Sequence, residues 1–107
     1  VKIVRVKATL MHKIEVEVSN ADEAVKAIKA GADAVLIDNV TPMQLKQIIN
    51  TLEALGLRKR AIIEVSGGIT PDNIIEYAKA NPDIISTSYI TMKAKPIDIS
   101  LEVLPQT

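Results

Sequence analysis

The sequence contains no cysteine, tryptophan or phenylalanine. Without cysteine there are no disulfides and no thiolate metal sites. Two tyrosines are the only aromatic residues, 2% of the chain. That scarcity argues against the aromatic platforms on which nucleic-acid bases stack. It also leaves the core to Ile, Val, Leu and Ala, the composition of strands covered by helices. An excess of one charge is missing too: thirteen basic residues balance thirteen acidic ones, so net charge points to neither nucleic acid nor a membrane surface. No apolar run approaches the roughly 20 residues of a membrane-spanning helix, and no signal-peptide pattern opens the chain. The first residue is Val1 rather than Met, which reads as a processed, trimmed or excised chain. A cytoplasmic protein or part of one fits this composition best.

What is present is a repeating pattern. Hydrophobic residues make up 48% of 107 positions, enough for the core of one domain. Ile14-Glu15-Val16-Glu17-Val18 alternates with the period of a strand. Asn20 with Glu23 fits a capping box for a helix over about Ala21 to Ala30, which Gly31 stops. Ala34 to Asp38 is the next strand. Thr41-Pro42, with Gln44, starts a second helix whose Leu45, Ile48, Ile49, Leu52 and Leu55 recur at helical spacing before Gly56. A strand over Ala61 to Val65 follows. Thr70-Pro71 repeats the cap-then-proline start, predicting a third helix to about Ala80. Ile84 to Thr87 reads as a strand, and Ile97 to Val103 as a last extended run. Val1 to Met11 fits either a strand or a helical stripe.

Alternating strands and helices predict a parallel sheet with right-handed crossovers. The fold class is therefore α/β: a half or partial (β/α) barrel, or alternatively an open flavodoxin-like parallel sheet. Three helices are too few for a complete eight-unit barrel. The whole chain, 1–107, reads as one partial barrel domain, with 1–12 a lead segment and 13–103 the β/α units.

In parallel α/β folds, ligands bind at the carboxyl ends of the strands. There the sequence presents Glu15 and Glu17 on one strand face, Asp38 with Asn39 at the end of the next strand, and Glu64 with Ser66 after that. The fourth strand ends near Ser86, Thr87 and Ser88. Clustered carboxylates repel one another unless a cation or a hydroxyl-rich ligand separates them, and Mg²⁺ or a sugar serves that purpose. Glu15 reads equally well as a solvated or ion-paired strand residue. Ser66-Gly67-Gly68-Ile69-Thr70-Pro71 has the makings of a phosphate cradle. Its two glycines let backbone N–H groups approach an anion, and a helix start capped at Thr70 would add a positive dipole end. The plain alternative is a tight turn that needs glycine for geometry alone. His12 reads as a surface residue. Lys93 and Lys95 are near the fourth strand's end, where solvated lysines are the commoner outcome. No dinucleotide fingerprint, Walker loop, HExxH or nucleophile elbow occurs.

Three stretches together carry a family resemblance: His12 to Val18, Val35-Leu36-Ile37-Asp38-Asn39, and Ile63-Glu64-Val65-Ser66-Gly67-Gly68-Ile69. In order and spacing they resemble the quinolinate phosphoribosyltransferases, also called carboxylating nicotinate-nucleotide pyrophosphorylases. Asp83 to Ser86 and Ile97 to Leu101 fit that family's closing segment, and the resemblance covers about Lys13 to Val103. It implies the carboxyl-terminal half of the catalytic barrel of a transferase that makes nicotinate mononucleotide, pyrophosphate and CO₂ from quinolinate and phosphoribosyl pyrophosphate, with Mg²⁺, in NAD biosynthesis. It places Glu17 and Asp38 at the ribose and its metal, and phosphate on Ser66, Gly67, Gly68 and Ser88. Two positions depart from the family: Ser88 stands where glycine is usual, and Thr91-Met92 where Thr-His is usual.

The resemblance also implies an amino-terminal domain and Arg, His and Lys motifs that hold the two carboxylates of quinolinate. These motifs are missing from this sequence, so the chain alone is expected to bind phosphoribosyl pyrophosphate or phosphate and not to turn over. An open half-barrel exposes strand edges, so a homo-oligomer is expected; a partner chain carrying the missing half would complete the site. Alternatives are an engineered or chimeric non-enzymatic half-barrel scaffold, and a relative with another substrate, such as the molybdenum-transport-associated homologue.

Overall fold

A computed structural model describes residues 6–8, 14–87, 90–93 and 101–103. Seven strands form one sheet: β1 (Val6–Ala8), β2 (Ile14–Val18), β3 (Ala34–Asp38), β4 (Ile62–Ser66), β5 (Ile84–Ser86), β6 (Ile90–Lys93) and β7 (Leu101–Val103). They lie in sequence order. The four central strands β2 to β5 run parallel, and β1, β6 and β7 pair antiparallel at the two flanks. Helices α1 (Ala21–Lys29), α2 (Pro42–Ala54) and α3 (Ile74–Lys79) make the crossovers. The order never reverses, which is barrel-type winding. A flavodoxin-like sheet has such a reversal.

Side-chain alternation decides which face the helices cover. Val16, Val18, Val35, Ile37, Ile63, Val65 and Ile85 are buried in one cluster with Ala24 and Ile28 of α1, Leu45, Ile48, Ile49 and Leu52 of α2, and Tyr77 of α3. These strand residues are every second position, so the intervening Glu15, Glu17, Leu36, Asp38, Glu64, Ser66 and Ser86 share the opposite, open face. Among the described residues the cluster holds one aromatic side chain, Tyr77. Cutting Leu52, fully buried at its centre, to Ala is expected to cost about 2–5 kcal/mol.

The helix starts follow their capping chemistry. Asn20 accepts from the Glu23 amide at 2.9 Å, while the Glu23 carboxylate reaches past Asn20 to the Ser19 amide and hydroxyl. Thr41 and Gln44 complete a full capping box. The third start differs from expectation. The helix begins at Ile74 rather than just after Thr70-Pro71, and its N-cap Asn73 makes no side-chain cap bond. The Asn73 amide is committed elsewhere: Oδ1 accepts from the Thr70 amide at 2.8 Å and Nδ2 donates to the Gly68 carbonyl at 2.9 Å. Residues 71–73 are therefore a turn. β4 is shifted one residue from the expected strand and takes in Ser66. β6 was not expected at all, and β7 is the described part of the last extended run. In the lead segment, Val6–Ala8 is a strand; the rest of 1–12 lies outside the described residues.

Candidate functional site

The carboxyl ends of β3 and β4 meet at one pair of residues. Asp38 ends β3, Ser66 ends β4, and the parallel register sets them side by side. Ser66 Oγ donates to Asp38 Oδ1 at 3.1 Å, and the Asn39 amide donates to the Ser66 carbonyl at 2.9 Å. Both strands then leave the sheet through left-handed backbone: Asn39 at φ 60°, Gly67 at φ 85° and Gly68 at φ 70°. Asn tolerates that region better than most residues.

Gly67 has a second reason to be glycine. A Cβ there would stand 2.6 Å from Asp38 Oδ1 and 2.9 Å from the Asn39 nitrogen, inside any permitted contact. The two turns are thus packed backbone to side chain, and only a bare α-carbon lets them close. At Gly68 a Cβ would meet nothing within 4 Å, so conformation alone calls for glycine. Among the described residues, no carbonyl outside the strand ladder accepts from the Gly67 or Gly68 amide. The helix contribution to an anion site is smaller than the sequence suggested, because α3 starts three residues beyond the expected turn and is six residues long.

The neighbouring row of the open face carries two more carboxylates. Glu17, Leu36, Glu64 and Ile84 stand opposite one another across β2 to β5. Glu64 Oε2 accepts from Ser86 Oγ at 2.8 Å, repeating one strand along the hydroxyl–carboxylate pairing of Ser66 with Asp38. Glu17 is half-buried on the same face as Asp38. Glu15 stands a row further from the site, opposite Ala34. Ser88, His12 and Lys95 lie outside the described residues. The backbone of Lys93 pairs with Ile84, the first residue of β5, so it is at the amino end of that strand and not beside the carboxyl-end turns. The antiparallel direction of β6 is the reason.

The donor set here consists of carboxylate and hydroxyl oxygens, the hard ligands that suit Mg²⁺ rather than a soft metal. Among the described residues no three acidic or histidine side chains lie close enough to cage a metal. Such a set could hold Mg²⁺ only through one or two carboxylates, with water and ligand oxygens completing the shell, as is usual for that ion.

The other end of the sheet is built differently. Asp33, before β3, accepts from the Ile14 amide through Oδ2 at 2.8 Å while its own amide donates to the Ile14 carbonyl at 2.9 Å. Asp83, before β5, makes the same two-bond clasp on Ile63, at 2.8 Å each. Arg58 pairs with Asp83 at 3.0 Å and donates to the Asn81 carbonyl at 2.8 Å. An open groove of about 620 Å³ runs past these residues, but two of the carboxylates lining it, Asp33 and Asp83, are engaged in holding strand starts.

A family model described as quinolinate phosphoribosyl transferase, C-terminal domain, matches residues 1–102. The chain belongs to this family. It is 47% identical over 103 residues to the probable carboxylating nicotinate-nucleotide pyrophosphorylase of Methanothermobacter thermautotrophicus, covering 96% of this chain and 37% of that protein. The corresponding human enzyme is 39% identical over 103 residues, with 96% and 34% covered. A solved structure of the nicotinate-nucleotide pyrophosphorylase from Francisella tularensis superposes with a TM-score of 0.58 at 36% identity, covering 85% of this chain and 31% of that one. The chain thus spans little more than a third of the length of these curated relatives. Family membership agrees with the parallel β/α units and with the resemblance carried by Asp38, Asn39 and the Ser66-Gly67-Gly68 turn. Sequence reasoning passed over three features of the site: the Ser86 bond to Glu64, the left-handed Asn39, and the double use of Asn73. An Asp-Asn pair at a strand end was the one available signal for the second.

Proposed function

We propose that this chain supplies the sugar-phosphate half of a nicotinate-nucleotide pyrophosphorylase site and binds phosphoribosyl pyrophosphate with Mg²⁺. The observation that carries the reading is the closure of Gly67 onto Asp38 and Asn39. It packs the glycine turn against a carboxylate at the carboxyl ends of adjacent parallel strands. In this reading the Gly67 and Gly68 amides hold the 5-phosphate, the Ser66 hydroxyl turns its one proton from Asp38 to the phosphate on binding, and Ser88 contributes its amide and hydroxyl. Asp38 and Glu17 accept hydrogen bonds from the ribose hydroxyls and face the metal. When bound, Mg²⁺ neutralises pyrophosphate charge. Both carboxylates would reach it through water.

The strand-end loops 17–20, 38–41, 66–70 and 86–87 contain no Lys or Arg. A dianion such as quinolinate needs cations, so the second half of the chemistry belongs to a further segment or a partner chain. The chain by itself is expected to bind phosphoribosyl pyrophosphate and to form no nicotinate mononucleotide. The balanced charge fits a cytoplasmic setting and no nucleic-acid partner.

Calorimetric titration with phosphoribosyl pyrophosphate and Mg²⁺, comparing wild type with Asp38→Ala and Gly67→Val, tests the site. Wild type should bind and both variants should lose most affinity; equal binding by all three would sink the assignment. Native mass spectrometry tests self-association, which a clean monomer would refute. A non-enzymatic scaffold would show neither binding nor dependence on Asp38.

A further inference from the structure

One buried hydrogen bond ties α3 to the candidate site without touching any group assigned to the ligand. Tyr77 is 4% exposed, and its hydroxyl donates to the carbonyl of Val40 at 2.6 Å. Val40 follows directly on Asp38 and Asn39 and is itself buried. A phenol needs a partner when buried, and a buried backbone carbonyl needs a donor. Here each satisfies the other across 37 residues of sequence. One turn earlier on the same segment, Asn73 holds the Gly68 carbonyl at 2.9 Å. The α3 segment therefore has a grip on both turns of the site, Asn73 on the glycine turn and Tyr77 on the Asp38 turn.

The clearance between those turns leaves no room for error. Asp38 Oδ1 and the Asn39 nitrogen already occupy the space a Cβ on Gly67 would need, and Asn39 sits at φ 60°, a conformation that surrounding contacts must hold in place. We propose that Tyr77 is a positioning residue: its hydroxyl fixes the Asp38-Asn39-Val40 turn at the height where the Asp38 carboxylate and the Gly67-Gly68 amides reach one ligand. This rests on the sugar-phosphate reading of the site. The ring serves the core, whereas the hydroxyl serves the turn, so the two roles separate in Tyr77→Phe.

The test compares wild type, Tyr77→Phe and Asp38→Ala in the full chain, by phosphoribosyl pyrophosphate titration with Mg²⁺ and by amide hydrogen exchange. The Asn39 amide, bonded to the Ser66 carbonyl, reports the turn; Val35 and Ile63, fully buried in the central strands, report the whole fold. Tyr77→Phe should weaken binding about threefold to tenfold, the size of one net hydrogen bond. It should speed exchange at Asn39 and leave Val35 and Ile63 as they are. Unchanged binding and unchanged Asn39 exchange, alongside lost binding in Asp38→Ala, overturns the Tyr77 role while the site stands. Faster exchange at Val35 and Ile63 by the same factor as at Asn39 makes Tyr77 a general core residue, and the proposal falls. If Asp38→Ala binds like wild type, the site reading itself fails. Asn39 exchange then decides alone: faster in Tyr77→Phe supports the pin, unchanged refutes it.

Discussion

The two ends of the parallel sheet use the same residue type for opposite purposes. At the amino end, Asp33 and Asp83 turn their carboxylates onto backbone amides of the neighbouring strand, and Arg58 neutralises Asp83. At the carboxyl end, Asp38 and Glu64 take only a serine hydroxyl each among the described contacts and stand on an open face beside glycine turns. An aspartate whose oxygens are used by strand amides and a guanidinium stabilises the fold. One bonded through a single hydroxyl keeps acceptor capacity for a ligand. Under the proposed function, the position of a carboxylate along the strand separates structure from recognition, as expected for parallel β/α folds.

The contrast can be broken at either end. Gly67→Val combines a forbidden backbone angle with a clash against Asp38 and Asn39. It is expected to destabilise the chain by about 3 kcal/mol and to abolish phosphoribosyl pyrophosphate binding, as read by thermal melting and titration. Asp83→Ala leaves the Ile63 amide and a guanidinium that is only 16% exposed without their partner. The expected loss is about 2–3 kcal/mol in urea unfolding, with ligand affinity per folded molecule unchanged. A loss of affinity there would erase the distinction between the ends. Asp38→Ala should do the reverse: at least about a tenfold fall in affinity, or 1.4 kcal/mol, with a melting temperature within a degree or two of wild type. Asp33→Ala gives the smallest change, about 1 kcal/mol of stability, because it has no cation to strand and its neighbour Ile14 is exposed.

Legibility from sequence followed the range of the interaction. β2 and β3 were readable residue by residue, because period-two alternation and a terminal Asp mark them locally. α1 and α2 were readable from Asn20, Thr41 and Gln44, whose caps span three residues. Thr70-Pro71 carries the same local signature yet starts no helix, since Asn73 bonds back to Thr70 and Gly68 and claims the turn. β6 is four residues long and depends on its pairing with β5, for which Ile90-Thr91-Met92-Lys93 offers no local mark. In the site, the strand-end rule was enough to select Asp38 and Ser66. It could not foresee that their side chains bond, since 28 residues separate them, and the Tyr77 tie to Val40 spans still more. The Asp33 and Asp83 clasps were missed for the same reason, although each aspartate stands in the same place, just ahead of a strand.

The sequential order of the sheet bears on how such a molecule comes into being. Among the described strands each pairs with the strand before it and the strand after it, so each crossover can dock as it is synthesised and none of these pairings waits for a remote partner. A newly made β/α unit finds its template already in place. By the same logic a further unit added beside an edge strand would extend the sheet without unpairing anything already formed, and a barrel of this kind can be assembled, in time or in ancestry, one unit after another.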